Sequence, residues 1–406
     1  MSHETTVLVV GGGATGVGVA RDLALRGVDV TLVDRGGLGS GTTGKSHGLL
    51  HSGARYAESD AVGAEECIAE NRIIKDIAGA CIRDCGGLFV QLESDDDDYF
   101  QRKREACEEV GIPVEVIDGE TARDLVPDLS ESVERAMRVP DGVVYPSRLV
   151  AANAADARDH GATIHPHAPV ESVAVEDGRV TGVDVGGEVE DRITAEFVVN
   201  ATGAWAEQFG DMAGVPIQMR PTRGVMLAVD YPDLGPVLNR CRDPDDGDIV
   251  VAHDEQAVLG TTSVPVENPD EYDREDWEIE RSVEECAAML PAVADADVLR
   301  TWWGVRPLYA PDEEGRGRGI SRGFFLLDHA EDGVENLASI VGGKLTTYRQ
   351  MAAATADLVA DRLGVDAEST TADRELPGAE DPETLDEFVA AFDARGETDA
   401  NVVGGD

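Results

Sequence analysis

Near the start of the chain, Gly11-Gly12-Gly13-Ala14-Thr15-Gly16 has the residue types and spacing that bring a backbone against a pyrophosphate. In the pattern G-x-G-x-x-G, the first glycine allows a tight turn and the second lets the main chain approach the phosphates. The third lets a helix lie close on a strand. The phosphates then sit at the helix N-terminus, where N–H groups and the helix dipole favour negative charge. Asp34 closes the next apolar run, where a carboxylate accepts hydrogen bonds from ribose hydroxyls. Alone, the glycine string is equally a tight turn with no ligand. The order apolar run, glycines, helical pattern, apolar run, acid is what predicts a bound dinucleotide.

The residues that follow bear on which dinucleotide. A long loop, Gly39-Ser40-Gly41-Thr42-Thr43-Gly44-Lys45-Ser46, comes directly after the second run and suits a cofactor that extends past its adenosine half. Gly342-Gly343 precedes a C-terminal helical pattern. The positive end of that helix suits the pyrimidine edge of a flavin, which gains negative charge on reduction. Read separately, each is an ordinary loop or helix cap. Together they favour FAD over NAD.

The elements that must position these residues are legible in outline. Residues 5–10 are a short β run, 14–26 a helical pattern stopped by Gly27, and 28–33 a second β run, the β-α-β unit of a nucleotide-binding sheet. Helical patterns recur over 62–77, 99–110 and 147–160. Strand signals follow at 162–164, 170–176 and 180–185, with Gly178 in the turn between the last two. Residues 197–200 run into Ala201-Thr202-Gly203. From 218 to 327 the pattern is β-rich (224–229, 249–252, 258–262, 324–327), interrupted by a helix near 281–290. Residues 337–341 are one more apolar strand before a helix to about 363, and from Asp366 the sequence is acidic and weakly patterned. No internal repeat is visible.

We therefore expect an α/β protein whose nucleotide-binding domain is discontinuous, formed by residues 1–85, 140–212 and 335–365. Residues 86–139 and 213–334 are expected to form a second, antiparallel-β substrate domain, and 366–406 an acidic C-terminal extension.

The chain has 406 residues, a net charge of −47, and only four lysines, Lys45, Lys75, Lys103 and Lys344. The charge argues against nucleic-acid binding, which depends on neutralising phosphates. A surface so acidic repels itself, and the repulsion is screened when the Debye length falls to ~3 Å near 1 M salt. Acid runs such as Asp95–Asp98 are otherwise a solvated surface. No apolar stretch approaches the ~20 residues of a membrane span, and the apolar start is too short for a signal peptide. A cytoplasmic location is expected. The six cysteines (67, 81, 85, 107, 241 and 286) form no C-x-x-C pair and read as free thiols. Cys81 and Cys85, at helical i, i+4 spacing, are only a weak metal signal, and no metal is expected.

Several segments together resemble FAD-dependent glycerol-3-phosphate dehydrogenases: Gly11–Gly16; Gly44-Lys45-Ser46-His47-Gly48-Leu49-Leu50-His51-Ser52-Gly53-Ala54-Arg55-Tyr56; Gly304-Val305-Arg306-Pro307-Leu308; Ser321-Arg322-Gly323; and Gly342-Gly343-Lys344-Leu345-Thr346-Thr347-Tyr348-Arg349. Val237–Arg242 and Leu259–Ser263 make the likeness strongest to the A subunits of the anaerobic three-subunit enzyme. The resemblance implies a D-amino-acid-oxidase-like flavoprotein fold, with a Rossmann-like FAD-binding domain and oxidation of sn-glycerol 3-phosphate to dihydroxyacetone phosphate. It also implies partner subunits that pass electrons through flavin and iron–sulfur centres to membrane quinone, placing the chain peripherally on the inner face. The A subunits of this family commonly carry a further C-terminal cysteine-containing domain of iron–sulfur type. This chain ends at Asp406 without one, so no cluster is expected in it.

On this resemblance, FAD contacts are expected from Gly11, Gly13, Ala14, Thr15, Gly16, Asp34, Arg35, Thr43, Ser46, Gly48, Leu49, Val170, Gly203, Gly343, Leu345 and Thr346. Arg306, Arg322 and Arg55 match substrate-site positions, and arginine forks suit phosphate oxygens. His51, with an ordinary pKa near ~6.5, is the favoured base for the C2 hydroxyl. Lys344 is the rival: a lysine at a helix start opposes the dipole, so it serves as base or as an electrostatic stabiliser. His47 and Tyr56 are secondary candidates. The alternatives are an amine or 2-hydroxy-acid oxidase of the same fold, a non-catalytic flavin scaffold, or a plain NAD-binding module.

Charge alone yields one expectation. The melting temperature should rise by about 5 °C or more between about 0.1 M and about 3 M KCl. Thermal melts that do not move with salt would reject the screening argument.

Overall fold

The computed structural model describes residues 3–232, 234–310 and 323–403. Its first strand, His3–Val10, pairs in parallel with Val30–Val33 on one side and with Asp191–Asn200 on the other. Thr163–His165 and Leu337–Gly342 extend the parallel run at its two sides. Segments from the start, middle and end of the chain thus lie side by side, as the separated apolar runs predict. The antiparallel hairpin Val170–Glu176 and Arg179–Val185 continues beside Asp191–Asn200. That strand is longer than its apolar residues foretold, because its first half, Asp-Arg-Ile-Thr-Ala-Glu, is largely polar yet pairs both with His3–Thr5 and with the hairpin.

Three helices cover this sheet and form its main core. Ala14–Leu25 packs between Pro146–Asp159 and Tyr348–Leu363. The approach is close: a Cβ on Gly18 would lie 2.9 Å from the Ala352 methyl. Pro146–Asp159 is buried continuously from Pro146 to Ala157, not along one stripe. The reason is a further helix on its outer side, Pro382–Ala391, capped by Asp381, whose Oδ1 accepts from the Glu383 amide at 3.1 Å. Leu385 and Val389 of that helix, with Phe392 and Val403, join the same core. The C-terminal residues that read as weakly patterned are therefore folded onto the nucleotide-binding sheet. Their apolar signal was there to be read: Leu385, Phe388, Val389 and Phe392 recur at i, i+3, i+4 and i+7, the spacing of one helix face, over barely two turns inside an acidic sequence.

A second sheet joins strands from residues 87–139 to strands from 222–306. Thr222–Asp230 pairs antiparallel with Gln256–Gly260 and Val298–Arg306, and Gly87–Leu92 with Val133–Val139. The two groups meet where Val237–Arg240 runs parallel to Gly87–Leu92, an exception to the antiparallel expectation. The helix expected from 281 starts at Asp276, with Asp276 and Glu278 in its first turn, where carboxylates favour the dipole. A small sheet of Leu49–Leu50, Gly142–Val144 and Ile82–Arg83 anchors the long loop that follows the second strand.

All six cysteines are free thiols, and burial pushes those of Cys67, Cys81, Cys107 and Cys241 up to about 12. Among the described residues no group of His, Cys, Asp or Glu is placed to hold a metal ion, and no helix is long and apolar enough to cross a membrane.

Leu385→Ala should destabilise the protein by about 2–5 kcal/mol, the cost of a cavity at a fully buried leucine. Urea unfolding measures it, and a loss below about 1 kcal/mol would show that the tail helix contributes little to the core.

Candidate active site

Four parallel strands end at the same edge of the first sheet and deliver Gly11, Asp34, Ala201 and Gly343 to one cleft of about 990 Å³. Ligands of such sheets bind beyond the carboxyl ends of the strands. Gly11 has φ +105°, and a Cβ there would lie 2.5 Å from the Ala201 carbonyl. A Cβ on Gly16 would lie 1.8 Å from the Gly11 carbonyl, so this third glycine serves packing of helix against turn. Helix Ala14–Leu25 has neither a capping side chain on its N-cap residue nor an acid in its first turn. Instead the Thr43 hydroxyl, from the long loop, accepts from the Ala14 amide at 3.2 Å. Thr43 thus stands on the helix end where an anion is expected.

At the adenosine end, Asp34 accepts from the Gly12 amide at 2.6 Å and the Gly36 amide at 2.8 Å. Burial pushes its carboxyl above the usual range, with those two amides drawing it the other way. Arg35 lies over the Trp205 ring at 4.2 Å and forks onto Asp270 at 2.8 and 3.2 Å. The Trp205 indole N–H also donates to Asp270, at 2.9 Å. Asp270 belongs to the segment between Val264–Pro265 and the helix Asp276–Met289, so this cluster ties the β-rich region across the cleft to the nucleotide-binding sheet.

Toward the other end, His51, Tyr56 and Lys344 cluster, and Arg55 and Arg306 line the same cleft. Lys344 follows Gly343, whose φ is +75°. Its Nζ is buried without a hydrogen-bond partner among the described residues, 4.8 Å from the Tyr56 ring centroid. His51 is held by its backbone: its amide donates to Thr346 Oγ1 at 3.0 Å, and its carbonyl accepts from Asn71 Nδ2 at 3.2 Å. Its Nε2 lies 3.4 Å from the Tyr56 hydroxyl. Arg306 Nη2 donates to Thr261 Oγ1 at 3.0 Å. Arg55 is paired with Asp248 at 2.6 Å. Burial, the largest influence on Arg55, works against its charge, and Asp248 and Tyr56 outweigh it and raise the guanidinium above its ordinary value.

The loop carrying His51, Arg55 and Tyr56 is clamped from behind. Lys103, on helix Asp97–Glu109, is 2 % exposed. Its Nζ donates to the carbonyls of Ala54 at 3.2 Å and Arg55 at 3.3 Å and pairs with Glu58 at 3.0 Å. Lys75 donates to the Pro140 carbonyl at 3.0 Å, and next to it Asp141 accepts from the Ser52 amide at 2.6 Å.

Of the residues singled out from sequence, Gly11, Gly13, Ala14, Thr15, Asp34, Arg35, Thr43, Ser46, Leu49, Val170, Gly203, Gly343, Leu345, His51, Arg55, Arg306 and Lys344 line the cleft, as do His47 and Tyr56. Gly16, Gly48 and Thr346 lie behind its walls: Gly48 faces the His253 ring, and Thr346 holds His51. Arg322 lies outside the described residues. Sequence reasoning missed Trp205, Thr261, Asp270, Tyr272, Arg274 and Trp303. Trp205 stood two residues past the singled-out Gly203, whereas Asp270 is one acid among 81 acidic residues and carries no local signal.

These walls fit FAD. A side chain on Gly13 would stand 3.3 Å from Thr43 Oγ1, filling the cradle at the helix end, and the cleft continues from there to the cationic end.

Residues 6–362 match the family described as FAD dependent oxidoreductase. The chain is 51% identical to the A1 subunit of the anaerobic glycerol-3-phosphate dehydrogenase of Haloferax volcanii, over 97% of this chain and 70% of that one. It is 44% identical to the corresponding subunit of the anaerobic glycerol-3-phosphate dehydrogenase of Escherichia coli K12, over 94% of this chain and 71% of that one. The FAD complex of glycerol-3-phosphate dehydrogenase from Bacillus halodurans has the same fold, with a TM-score of 0.70 at 22% identity over 98% of this chain and 76% of that one. The chain therefore belongs to the FAD-dependent oxidoreductases and, among them, to the family of anaerobic glycerol-3-phosphate dehydrogenase A subunits.

Proposed function

We propose that this chain oxidises sn-glycerol 3-phosphate to dihydroxyacetone phosphate at the cationic end of the cleft. The observation that carries this reading is the buried Lys344 ammonium, without a hydrogen-bond acceptor among the described residues, against the Tyr56–His51 pair in a cleft that Arg306 also lines. Three donors left unmade in a buried place cost free energy, and a phosphate oxygen supplies the missing acceptor. A monocarboxylate would use fewer of the cations assembled there, which favours a phosphorylated alcohol over an amino or hydroxy acid.

The glycine turn, the N-terminus of helix Ala14–Leu25, Asp34 and the Gly343–Leu345 turn would hold FAD. When bound, FAD supplies the acceptor for the C2 hydrogen and its electron pair. Arg306 and Lys344 hold the phosphate, and Arg55, oriented by Asp248, adds a third positive group. Arg322 matches the same set by its sequence. His51 takes the C2 hydroxyl proton: the bonds to Thr346 and Asn71 fix its backbone, and Tyr56 lies at its Nε2. An ammonium over an aromatic face is attracted as a cation, which suits Lys344 to charge stabilisation and leaves proton removal to His51. Lys103 and Lys75 keep the loop of His51 and Arg55 in register with Arg306.

The relatives are each one lettered component of a larger enzyme, which supports partner subunits for this chain as well. We place it as the electron-input component of a complex held at the inner face of the membrane by those partners, which carry the electrons on to quinone.

Anaerobic addition of glycerol 3-phosphate should bleach the visible flavin band of the purified protein, whereas glycerol, lactate and glycine should not. Bleaching by glycine or lactate in its place would move the assignment to an amine or hydroxy-acid oxidase. His51→Asn should slow bleaching by about 10²–10⁴-fold with flavin content unchanged, the usual worth of a positioned base. An unaltered rate would take His51 out of that role. Arg306→Met and Lys344→Met should each lower kcat/KM by roughly 10- to 100-fold, the worth of one charge-assisted hydrogen bond at ~1.5–3 kcal/mol. Steady-state kinetics in which neither variant shifts kcat/KM would remove the phosphate anchor.

A further inference from the structure

The match to the family ends at residue 362, yet residues well beyond it reach the wall of the cleft. Thr398 is fully buried. Its amide and its hydroxyl point at the Gly44 carbonyl, at 3.1 and 3.0 Å, and the hydroxyl also reaches the Ser46 carbonyl at 2.7 Å. The next loop residues, Lys45, Ser46 and His47, line the cleft. Gly396 and Gly44 face each other so closely that a Cβ on Gly396 would lie 2.6 Å from the Gly44 Cα.

The segment is anchored on both sides of Thr398. Asp399 accepts from the Ser147 hydroxyl at 2.6 Å and amide at 2.9 Å, in the first turn of helix Pro146–Asp159, and the Gly396 amide donates to Ser147 Oγ at 3.0 Å. Asn401 Nδ2 donates to the His253 carbonyl at 3.1 Å, and the His253 ring contacts the His47 carbonyl through Nε2, also at 3.1 Å. One short stretch thus connects a rigid helix start to the backbone of the cleft loop.

We propose that residues 396–403 are a strap that sets the backbone of the cleft loop 44–47, and that Thr398 is the positioning residue through which it acts. A loop made of glycine and small polar residues has little packing of its own, and its order depends on such tethers. The loop donates no bulk to the core, so its position over the cofactor is fixed from behind by the Thr398 hydroxyl and amide. The consequence for the proposed reaction is retention of the cofactor and presentation of Lys45 and His47. The inference rests on cofactor binding in the cleft, not on which alcohol is oxidised.

The test uses the full chain with Thr398→Val, which keeps shape and removes the hydroxyl, and Thr398→Ser, which keeps the hydroxyl. Hydrogen exchange of the amides at 44–48, followed in the cofactor-free protein, should be roughly 3- to 10-fold faster in T398V, the range for one lost hydrogen bond. The central-strand amides of His3–Val10 should be unchanged, and T398S should behave as wild type. FAD should dissociate from T398V faster by a similar factor, read by the return of free-flavin fluorescence on dilution. The exchange measurement needs neither cofactor nor substrate, so its result is independent of the proposed reaction. Unchanged exchange at 44–48 in T398V would overturn the strap. So would T398S exchanging as fast as T398V, or FAD leaving all three proteins at one rate.

Discussion

Positive charge is scarce in this protein, and the cleft depends on where it is used. With 81 acidic against 34 basic residues, the long-range field opposes an anionic substrate. Binding must come from cations close to the ligand, in surroundings where water screens them little. The four lysines show the economy most plainly. Lys45 and Lys344 line the cleft, Lys103 bonds the loop that carries His51 and Arg55 from behind, and Lys75 bonds Pro140, next to the Asp141 that holds Ser52 of that loop. Arginines serve the exposed pairs, as in Arg138–Glu115 and Arg179–Glu335. Pairs of that kind contribute little individually.

A buried cation must be paired, bonded or left costly, and the cleft shows all three conditions. Arg55 is paired with Asp248, so its charge is compensated before any ligand arrives. Lys103 is bonded to two carbonyls and Glu58, which makes it a strut. Lys344 has, among the described residues, the Tyr56 face and the charge of Glu66 nearby, but no hydrogen-bond acceptor for its Nζ. The three differ in how much an incoming phosphate gains from each: little from Lys103, part from Arg55, most from Lys344. On the proposed reading, that gradient would draw the phosphate toward Gly343 and the start of the last helix.

The legible part of the sequence was the part whose signal is local. Strand, glycine turn, helix, strand and Asp34 follow each other within 34 residues, and each constrains the next. The convergence of His51, Arg306 and Lys344 was not local. Their separations in sequence run to hundreds of residues, and only their likeness to a known family's motifs brought them together. Thr346 and Gly16, expected at the cofactor by motif, have structural roles visible in the fold as well, one bonding the His51 amide and the other letting the helix meet the Gly11 turn. Spacing identifies a residue as needed at a site but does not say which atom of it is used. Asp270 illustrates the opposite failure. In a chain full of acids, the one that forks onto Arg35 and Trp205 looks like every other.

The Asp270 cluster and the tail helix have a common logic. The cleft lies between two sheets built from interleaved stretches of chain, so its width depends on contacts that cross from one to the other. Arg35, Trp205 and Asp270 make such a contact at the adenosine end, and Thr42 makes one near the middle, its hydroxyl donating to the Val305 carbonyl at 2.6 Å. Val305 immediately precedes Arg306. The bond from Thr42 therefore couples the loop behind which Thr398 sits to the strand that presents Arg306, the guanidinium we propose for the phosphate. The loop and Arg306 are in this way set against each other through one backbone carbonyl, so a displacement of the loop would bear on Arg306 directly, whatever occupies the cleft.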